Sequence, residues 1–297
     1  MAEEIVTKAK AGQVVRLAGK IAAMIASVVL PLVIIPQYIY DPLGLWVWDD
    51  AHQISSRIRC SSEDCLLYML PAGESTFKSG WTVTTNQNGT RVTPDNSPTC
   101  DVRIALIGDS FTWGPFVNDS ETWGNLLAER FPSVCFDNYG QWGYNAEQAA
   151  RTLEQRVADD SDYVIYFIFT NDDMPPGSYT EVDSPPHPLI LVRYIRAGLW
   201  ELGWRGREYG RGEIPTRDRE AFNAAIQAMA ADPRVHFVGI EQEILVHAVR
   251  DKGLDVYGVP LPSETELVAP VDNHVNALGH SNIARNLYPL IEELLES

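Results

Sequence analysis

The stretch VRIALIGDSFTWG, residues 102–114, decides the fold class of this chain. Its first six residues are mostly apolar and end at Gly108, a pattern typical of a buried parallel strand. Asp109 and Ser110 follow, and both residue types are favoured at helix starts. The stretch therefore predicts a strand, a tight turn and a helix, with the hydroxyl of Ser110 at the carboxyl edge of a sheet, where open α/β folds keep their sites.

Strand and helix patterns continue to alternate downstream of this stretch. Apolar runs predict further strands at residues 134–138, 163–169 and 235–240. Helical spacing predicts helices at residues 121–131, 145–159, 241–253 and 277–295. Such alternation implies an α/β fold with a parallel sheet. Residues 173–219 break the rhythm after a strand, and we expect an insertion there that acts as a lid or substrate-binding cap.

The charge of the chain excludes one class of partner. With 23 Lys and Arg against 40 Asp and Glu, the 297 residues carry a formal net charge of −17. A nucleic-acid-binding protein needs a basic face, so we expect no nucleic-acid partner. No Cys/His spacing indicates zinc, and we predict neither a metal nor a cofactor. The sequence gives no indication of protein partners.

The N-terminus carries a candidate membrane anchor. Residues 21–40 are uncharged and mostly apolar, and as a helix they would span the roughly 30 Å of a bilayer's hydrocarbon core. Basic residues precede the run and acidic residues follow it, which predicts a cytoplasmic tail (1–20) and an extracytoplasmic remainder. A cleaved signal peptide and a helix buried in a soluble domain are the alternatives. Residues 41–100 are predicted to form an irregular stalk with a hairpin, and residues 101–297 a catalytic domain.

Polar or glycine residues follow several predicted strands at the same sheet edge. Gly143 follows the strand at 134–138, Asn171 ends the strand at 163–169, and Asp272 and His274 directly precede the last helix. Each has a structural explanation alone, such as a tight turn or a helix cap. Together with Ser110, in chain order, they predict a site for nucleophilic catalysis.

These segments resemble the four sequence blocks of the SGNH hydrolases, the GDSL-like esterase, lipase and acyltransferase family. The resemblance covers residues 101–172 and 270–295, and TNQNGTR (85–91) is similar to a segment that precedes the first block in membrane-attached members. It implies that Ser110 is the nucleophile, with Gly108 and Asp109 supporting it, and that His274 is the base.

The same resemblance implies an oxyanion hole formed by Ser110, Gly143 and Asn171, with Asp272 orienting the imidazole. The sequence departs from the family pattern at two places. The third block usually reads Gly-x-Asn-Asp, and Phe169 stands here in the place of its glycine. Asp272 lies two rather than three residues before the histidine. A similar Asp-x-His spacing occurs in SGNH-like O-acetyltransferases that modify exopolysaccharides.

The family fold implies a flavodoxin-like three-layer α/β/α sandwich with strand order 2-1-3-4-5. That order would make the strands at 102–107 and 134–138 neighbours, which favours a disulfide between Cys100 and Cys135 and leaves Cys60 to pair with Cys65. Free buried thiols are the alternative. We expect a serine esterase that cleaves acetyl or short acyl esters on cell-envelope or exported glycans. An O-acetyltransferase of an extracytoplasmic polysaccharide, or a catalytically silent glycan-binding or scaffold domain, are the alternatives.

Overall fold

The computed structural model describes residues 46–63, 66–93, 100–177, 216–269 and 272–297, with isolated positions between 19 and 41 and at 192. Within these residues, no helix combines the length and apolar character that crossing a bilayer requires. Most of the predicted tail and anchor (1–40) and most of the predicted insertion (173–219) lie outside the described residues.

The N-terminal module, residues 46–63 and 66–93, contains one helix and two pairs of short antiparallel strands. They are α1 (Trp46–Arg57), β1 (Arg59–Cys60), β2 (Tyr68–Met69), β3 (Gly73–Thr76) and β4 (Thr82–Thr85). The span that we predicted to be irregular is therefore largely structured. The hairpin expected around Asn88 and Gly89 is present as a turn in which Asn86 N–H donates to the Thr90 carbonyl at 2.9 Å.

A buried carboxylate holds α1 against the following hairpin. Asp50 is fully buried and accepts hydrogen bonds from the backbone N–H of Lys78 at 2.8 Å and from the indole N–H of Trp81 at 2.9 Å. Burial raises the pKa of Asp50, although these donors oppose the rise. Ile54 and Phe77 belong to a small apolar cluster that also contains Trp113 and Trp142, so the module shares this core with later segments of the chain.

Five parallel strands form the central sheet, in the spatial order β6-β5-β7-β8-β9. They are β5 (Val102–Gly108), β6 (Val134–Asn138), β7 (Tyr163–Ile168), β8 (Val235–Ile240) and β9 (Val256–Val259). This is the predicted 2-1-3-4-5 order. β9 was not predicted, because four residues give too short a run to show a strand pattern.

Helices cover both faces of the sheet and bury two apolar cores. The helices are α2 (Ser110–Trp113), α3 (Trp123–Arg130), α4 (Ala146–Gln155), α5 (Arg219–Ala230), α6 (Ile244–Arg250) and α7 (Ala277–Glu296). α3 and α7 bury apolar side chains against one face, and α4, α5 and α6 against the other. The three-layer α/β/α prediction is confirmed. An additional antiparallel pair, β10 (Leu267–Ala269) and β11 (Asp272–Val275), precedes α7.

A disulfide joins the amino ends of two neighbouring strands. Cys100 and Cys135 are bonded, with Cα atoms 5.6 Å apart, and β5 and β6 pair in parallel beside them. This prediction is confirmed. Cys60 is also disulfide-bonded, but its predicted partner Cys65 lies outside the described residues.

The two ends of the predicted insertion lie next to each other. The buried carboxylate of Asp173 forms ion pairs with Arg217 at 2.6 Å and with Arg219 at 2.7 Å. The backbone N–H of Asp218 also donates to the Asp173 carbonyl at 2.7 Å. The chain therefore leaves β7 and reaches α5 at one point on the carboxyl side of the sheet.

Candidate active site

Ser110 begins α2 directly after β5. Asp109 caps this helix, since its carboxylate accepts the N–H of Phe111 at 2.8 Å. Gly108 has φ of 149°, and a Cβ atom there would lie 2.4 Å from the hydroxyl oxygen of Thr112. Glycine thus permits the sharp turn from strand to helix that brings the Ser110 hydroxyl to the edge of the sheet.

His274 reaches the site from β11. Antiparallel pairing with β10 positions this strand, and Asn276 caps the following helix by accepting the N–H groups of Leu278 and Gly279 at 2.9 and 3.1 Å. The sequence predicts His274 immediately before the last helix but does not predict the strand pair.

A continuous line of hydrogen bonds joins the three predicted triad residues. Ser110 Oγ lies 2.8 Å from His274 Nε2, and His274 Nδ1 lies 2.6 Å from Asp272 Oδ1. Ser110 and His274 are 164 positions apart in the chain. The structure therefore brings together the hydroxyl, the imidazole and the carboxylate in the order that an activated serine requires.

The strand conformation explains why Asp272 works at the unusual spacing. Side chains at positions i and i+2 of a strand project to the same side, so Asp272 and His274 lie next to each other on β11. The same carboxylate oxygen also accepts the backbone N–H of His274 at 2.8 Å. The carboxylate is thus fixed at both the backbone and the ring of the residue it orients.

Burial and charge act in opposite directions on this pair. Burial alone would lower the pKa of His274, but the carboxylates of Asp272 and Asp109 outweigh it and hold that pKa above its usual value. Burial alone would raise the pKa of Asp272, yet the imidazole and its N–H groups hold it below the usual value. The pair therefore favours a charged Asp272 that stabilises protonated His274.

Asp109 is a second carboxylate beside the hydroxyl. It is buried, and its Oδ2 lies 3.4 Å from Ser110 Oγ. Burial raises the pKa of Asp109 to about 6, although the Phe111 N–H and the charge of His274 oppose the rise. Asp109 thus caps α2 and also contributes negative charge next to the imidazole.

The loop after β6 lies against the start of α2. A Cβ atom on Gly140 would lie 2.5 Å from the backbone nitrogen of Trp113, so only glycine allows this approach. Asn138 donates to the Thr112 carbonyl at 2.8 Å and fixes the same contact. Gly143, the predicted oxyanion donor, follows in this loop with φ of 70°.

Asn171 follows β7 and contacts both neighbouring segments. Its carboxamide donates to the Tyr144 carbonyl at 3.1 Å, and its dipole opposes the rise in the pKa of Asp109. The structure thus places Asn171 between the loop after β6 and the residue before Ser110. The bond to the Tyr144 carbonyl uses one of the two N–H donors of the carboxamide.

Aromatic side chains enclose the imidazole, and the sequence analysis missed them. The Trp142 ring stacks on His274 with centroids 5.1 Å apart, and the Phe116 ring meets it edge-on at 5.5 Å. Phe111 lies at 6.0 Å. Trp142 stands within the block NYGQWGYN, so its place in the site could have been inferred, whereas no sequence signal pointed to Phe116.

Comparison with known proteins identifies the family. The sequence pattern of the GDSL-like Lipase/Acylhydrolase family matches residues 106–281, more than half of the chain. The chain belongs to this family. It is therefore a serine hydrolase that acts on ester bonds. A comparison with curated protein sequences found no match.

Solved structures with a similar fold cover about two thirds of this GDSL-like chain. A carbohydrate acetylesterase family member from Sinorhizobium meliloti is 15% identical, with TM-score 0.39 over 66% of this chain and 100% of its own. The psychrotrophic esterase EstA from Pseudoalteromonas sp. is 14% identical, with TM-score 0.40 and the same coverage. A lipolytic G-D-S-L protein from Veillonella parvula is 15% identical, with TM-score 0.38 over 63% and 97%. Because these TM-scores lie below 0.5, the family assignment depends on the sequence match alone.

Two further buried groups of this GDSL-like chain support the site without reaching the hydroxyl. Asp172 accepts the Tyr166 hydroxyl at 2.6 Å and the Phe169 N–H at 2.9 Å, and burial raises its pKa well above the usual value. His280 lies inside α7, and its Nδ1 accepts the backbone N–H of Trp123 at 3.3 Å. Burial lowers the pKa of His280 to about 3, so it is a neutral structural histidine. Within the described ranges, no group of three or more His, Cys, Asp or Glu side chains is arranged to hold a metal ion.

Proposed function

We propose that this GDSL-like hydrolase is a serine esterase that works through an acyl-enzyme on Ser110. The observation that supports this most directly is the line from Ser110 Oγ to His274 Nε2 at 2.8 Å and on to Asp272 at 2.6 Å. His274 is the general base, and Asp272 fixes its tautomer and stabilises the imidazolium.

The first half-reaction transfers the acyl group to the enzyme. The Ser110 oxygen attacks the ester carbonyl while His274 Nε2 takes the hydroxyl proton. The C–O bond to the alcohol then breaks, and the leaving oxygen receives that proton from His274. Water repeats the sequence on the acyl-enzyme and releases the carboxylic acid. The developing oxyanion is bound by the N–H groups of Ser110 and Gly143 and by the carboxamide of Asn171.

The proposed substrate is an acetyl or short acyl ester on a cell-envelope or exported glycan. The support is the predicted topology, with an uncharged run at 21–40 that follows basic residues and precedes acidic ones. Single-pass anchoring would place the catalytic domain in the periplasm or outside the cell. Protease added to intact spheroplasts should cleave the domain from its anchor, and full protection of the chain would contradict this location.

A second candidate is transfer of the acyl group to a sugar hydroxyl. The Asp272-x-His274 spacing, which resembles that of SGNH-like O-acetyltransferases, favours this reading. With p-nitrophenyl acetate as donor, p-nitrophenol release that rises with added oligosaccharide, accompanied by acetylated sugar, indicates transfer. Release that is independent of the oligosaccharide indicates hydrolysis.

Labelling with a fluorophosphonate probe tests the proposal against a silent binding or scaffold domain. We expect wild type and the exposed-serine control Ser133→Ala to be labelled and to hydrolyse p-nitrophenyl acetate. Ser110→Ala should do neither while melting at the wild-type temperature. Equal labelling of Ser110→Ala and wild type, or no labelling of either, would overturn the esterase proposal.

A further inference from the structure

Arg91 is a buried arginine whose guanidinium holds the loop that follows α2. The side chain is 1% exposed, and its Nε donates to Asp119 at 2.7 Å. Its Nη1 donates to the carbonyl oxygens of Trp113, at 2.9 Å, and Gly114, and its Nη2 donates to that of Val117 at 2.6 Å. A guanidinium presents five donors in a rigid plane, so one side chain fixes several points of the loop at once.

The loop held in this way carries Phe116 in a strained conformation. Among the described residues, Phe116 is the non-glycine position with positive φ, at 65°. A bulky residue in this region is unfavourable and persists where its surroundings hold it there. The donors of Arg91 bind the carbonyls on both sides of Phe116, and the Trp81 ring of the N-terminal module meets the Phe116 ring at 5.8 Å.

Phe116 contacts the imidazole of His274 and limits a motion of the ring that the hydrogen bond to Asp272 leaves free. Its ring meets His274 edge-on at 5.5 Å and Trp142 edge-on at 6.0 Å, while Trp142 stacks on the imidazole at 5.1 Å. A hydrogen bond at Nδ1 leaves the ring free to tilt about that bond, and the two aromatic rings limit this tilt. Nε2, at the opposite side of the ring from Nδ1, lies 2.8 Å from Ser110 Oγ, so a tilt of the ring would move it relative to the hydroxyl.

We propose that Arg91 is a positioning residue of the ester-hydrolase site, acting on His274 through the loop at 113–119 and Phe116. The proposal rests on the serine-esterase function proposed above. Arg91 lies in the TNQNGTR segment, outside the residues 106–281 that match the family pattern. The N-terminal module therefore contributes to catalysis through this arginine.

The test measures p-nitrophenyl acetate turnover, fluorophosphonate labelling rate and melting temperature for Arg91→Lys, Phe116→Ala and the double variant. Lysine keeps the charge but cannot bind Asp119 and the loop carbonyls together. We expect kcat and the labelling rate to fall about 10- to 100-fold in either single variant, as for a displaced catalytic group, with KM within about twofold. The double variant should lose little more than Phe116→Ala, because both changes break the same chain of contacts.

The matched control is Arg103→Lys. Arg103 forms a partly exposed ion pair with Asp137 at 2.6 Å, and it lies at the other end of β5 from Ser110. The kcat of the Arg103→Lys variant should therefore equal that of wild type. If Arg91→Lys does not fold, Asp119→Asn takes its place, since it weakens one contact of the guanidinium and should lower kcat at unchanged KM.

An unchanged kcat in folded Arg91→Lys, or losses that add fully in the double variant, would overturn the positioning role. A change in KM alone would do the same. These outcomes are distinct from failure of the esterase proposal, in which wild type itself shows no Ser110-dependent labelling or turnover.

Discussion

The two ends of the central sheet carry polar groups in very different surroundings. At the carboxyl end, Ser110 and Asn171 are 5% and 8% exposed, and their hydrogen bonds lie within the protein. At the amino end, the Arg103–Asp137 ion pair has side chains 31% and 27% exposed to water. Electrostatic interactions are strong where water is excluded and weak where it screens them. Changes at the carboxyl end should therefore alter the reaction, and changes at the amino end should alter stability alone.

The largest effect is expected from Asp272→Asn. The amide keeps the shape but cannot stabilise the imidazolium, so kcat for p-nitrophenyl acetate should fall on the order of 10⁴-fold, as in serine triads generally. Asp232→Asn, which weakens the Asp232–Arg234 ion pair before β8, is the matched control and should keep the wild-type kcat. A residual kcat within threefold of wild type would show that another group orients His274.

Asn171→Ala should have the next largest effect. Loss of one oxyanion donor lowers kcat on the order of 10²–10³-fold. Because the buried Asn171 also donates to the Tyr144 carbonyl, the melting temperature should fall as well. Asn286→Ala, which removes a bond from α7 to its own backbone, serves as the control. Loss of stability without loss of kcat would assign Asn171 to structure.

The pH profile provides a smaller and graded test of the carboxyl end. His274 must be neutral to accept a proton, and its raised pKa places the acid limb of kcat/KM above pH 6.5. The value of kcat/KM should therefore decline as the pH falls through the pKa of His274. In Asp272→Asn the limb should move to lower pH, because the carboxylate of Asp109 alone then opposes the effect of burial on the pKa of His274. A limb that stays in place would mean that another group titrates.

At the amino end, removal of the Cys100–Cys135 disulfide should lower stability without affecting the rate. The bond links residues 35 positions apart, and a loop of that size contributes roughly 3–4 kcal/mol to the free energy of unfolding. The double variant Cys100→Ser, Cys135→Ser should show this in urea unfolding and keep the wild-type kcat at 20 °C. A large fall in kcat would mean that the two ends of the sheet are coupled.

The smallest effect is expected from Arg103→Met. An ion pair this exposed contributes less than about 1 kcal/mol, and the methionine stem preserves much of the packing. Urea unfolding should give a small difference between the variant and wild type in the free energy of unfolding at low salt. At high salt this difference should nearly vanish, because salt screens the ion pair. A loss of several kcal/mol would contradict the contrast between the two ends.

Local sequence patterns predicted most of the sheet. The strand at 134–138 has the predicted bounds, because its apolar residues Val134 and Phe136 are buried and alternate with the less buried Cys135 and Asp137. β10 and β11 were not predicted, because they have only three and four residues and show no clear strand pattern. Contact with α7 stabilises the pair. The position of a strand that depends on tertiary packing cannot be read from a four-residue window.

The site residues also divide into those that a local sequence pattern predicts and those whose position depends on tertiary packing. Ser110, Asp272 and His274 were predicted because serine, carboxylate and imidazole at strand ends suggest one chemistry, and the structure brings them within hydrogen-bond distance. Phe116 could not be predicted, since its place depends on a backbone conformation that its residue type disfavours. Arg91 ends the TNQNGTR segment, whose resemblance to family members indicates no role for the arginine, and its burial becomes evident only in the folded chain.

The ion pairs that Asp173 forms with Arg217 and Arg219 also have a practical consequence for engineering. They tie together the two points where residues 174–216 depart from and rejoin the rest of the chain. A replacement peptide grafted between these points would meet ends that are already closed, so its own length would add little to the entropy of folding. Engineered variants with segments of different length could therefore be made by exchanging residues 174–216 alone and leaving the rest of the chain unchanged.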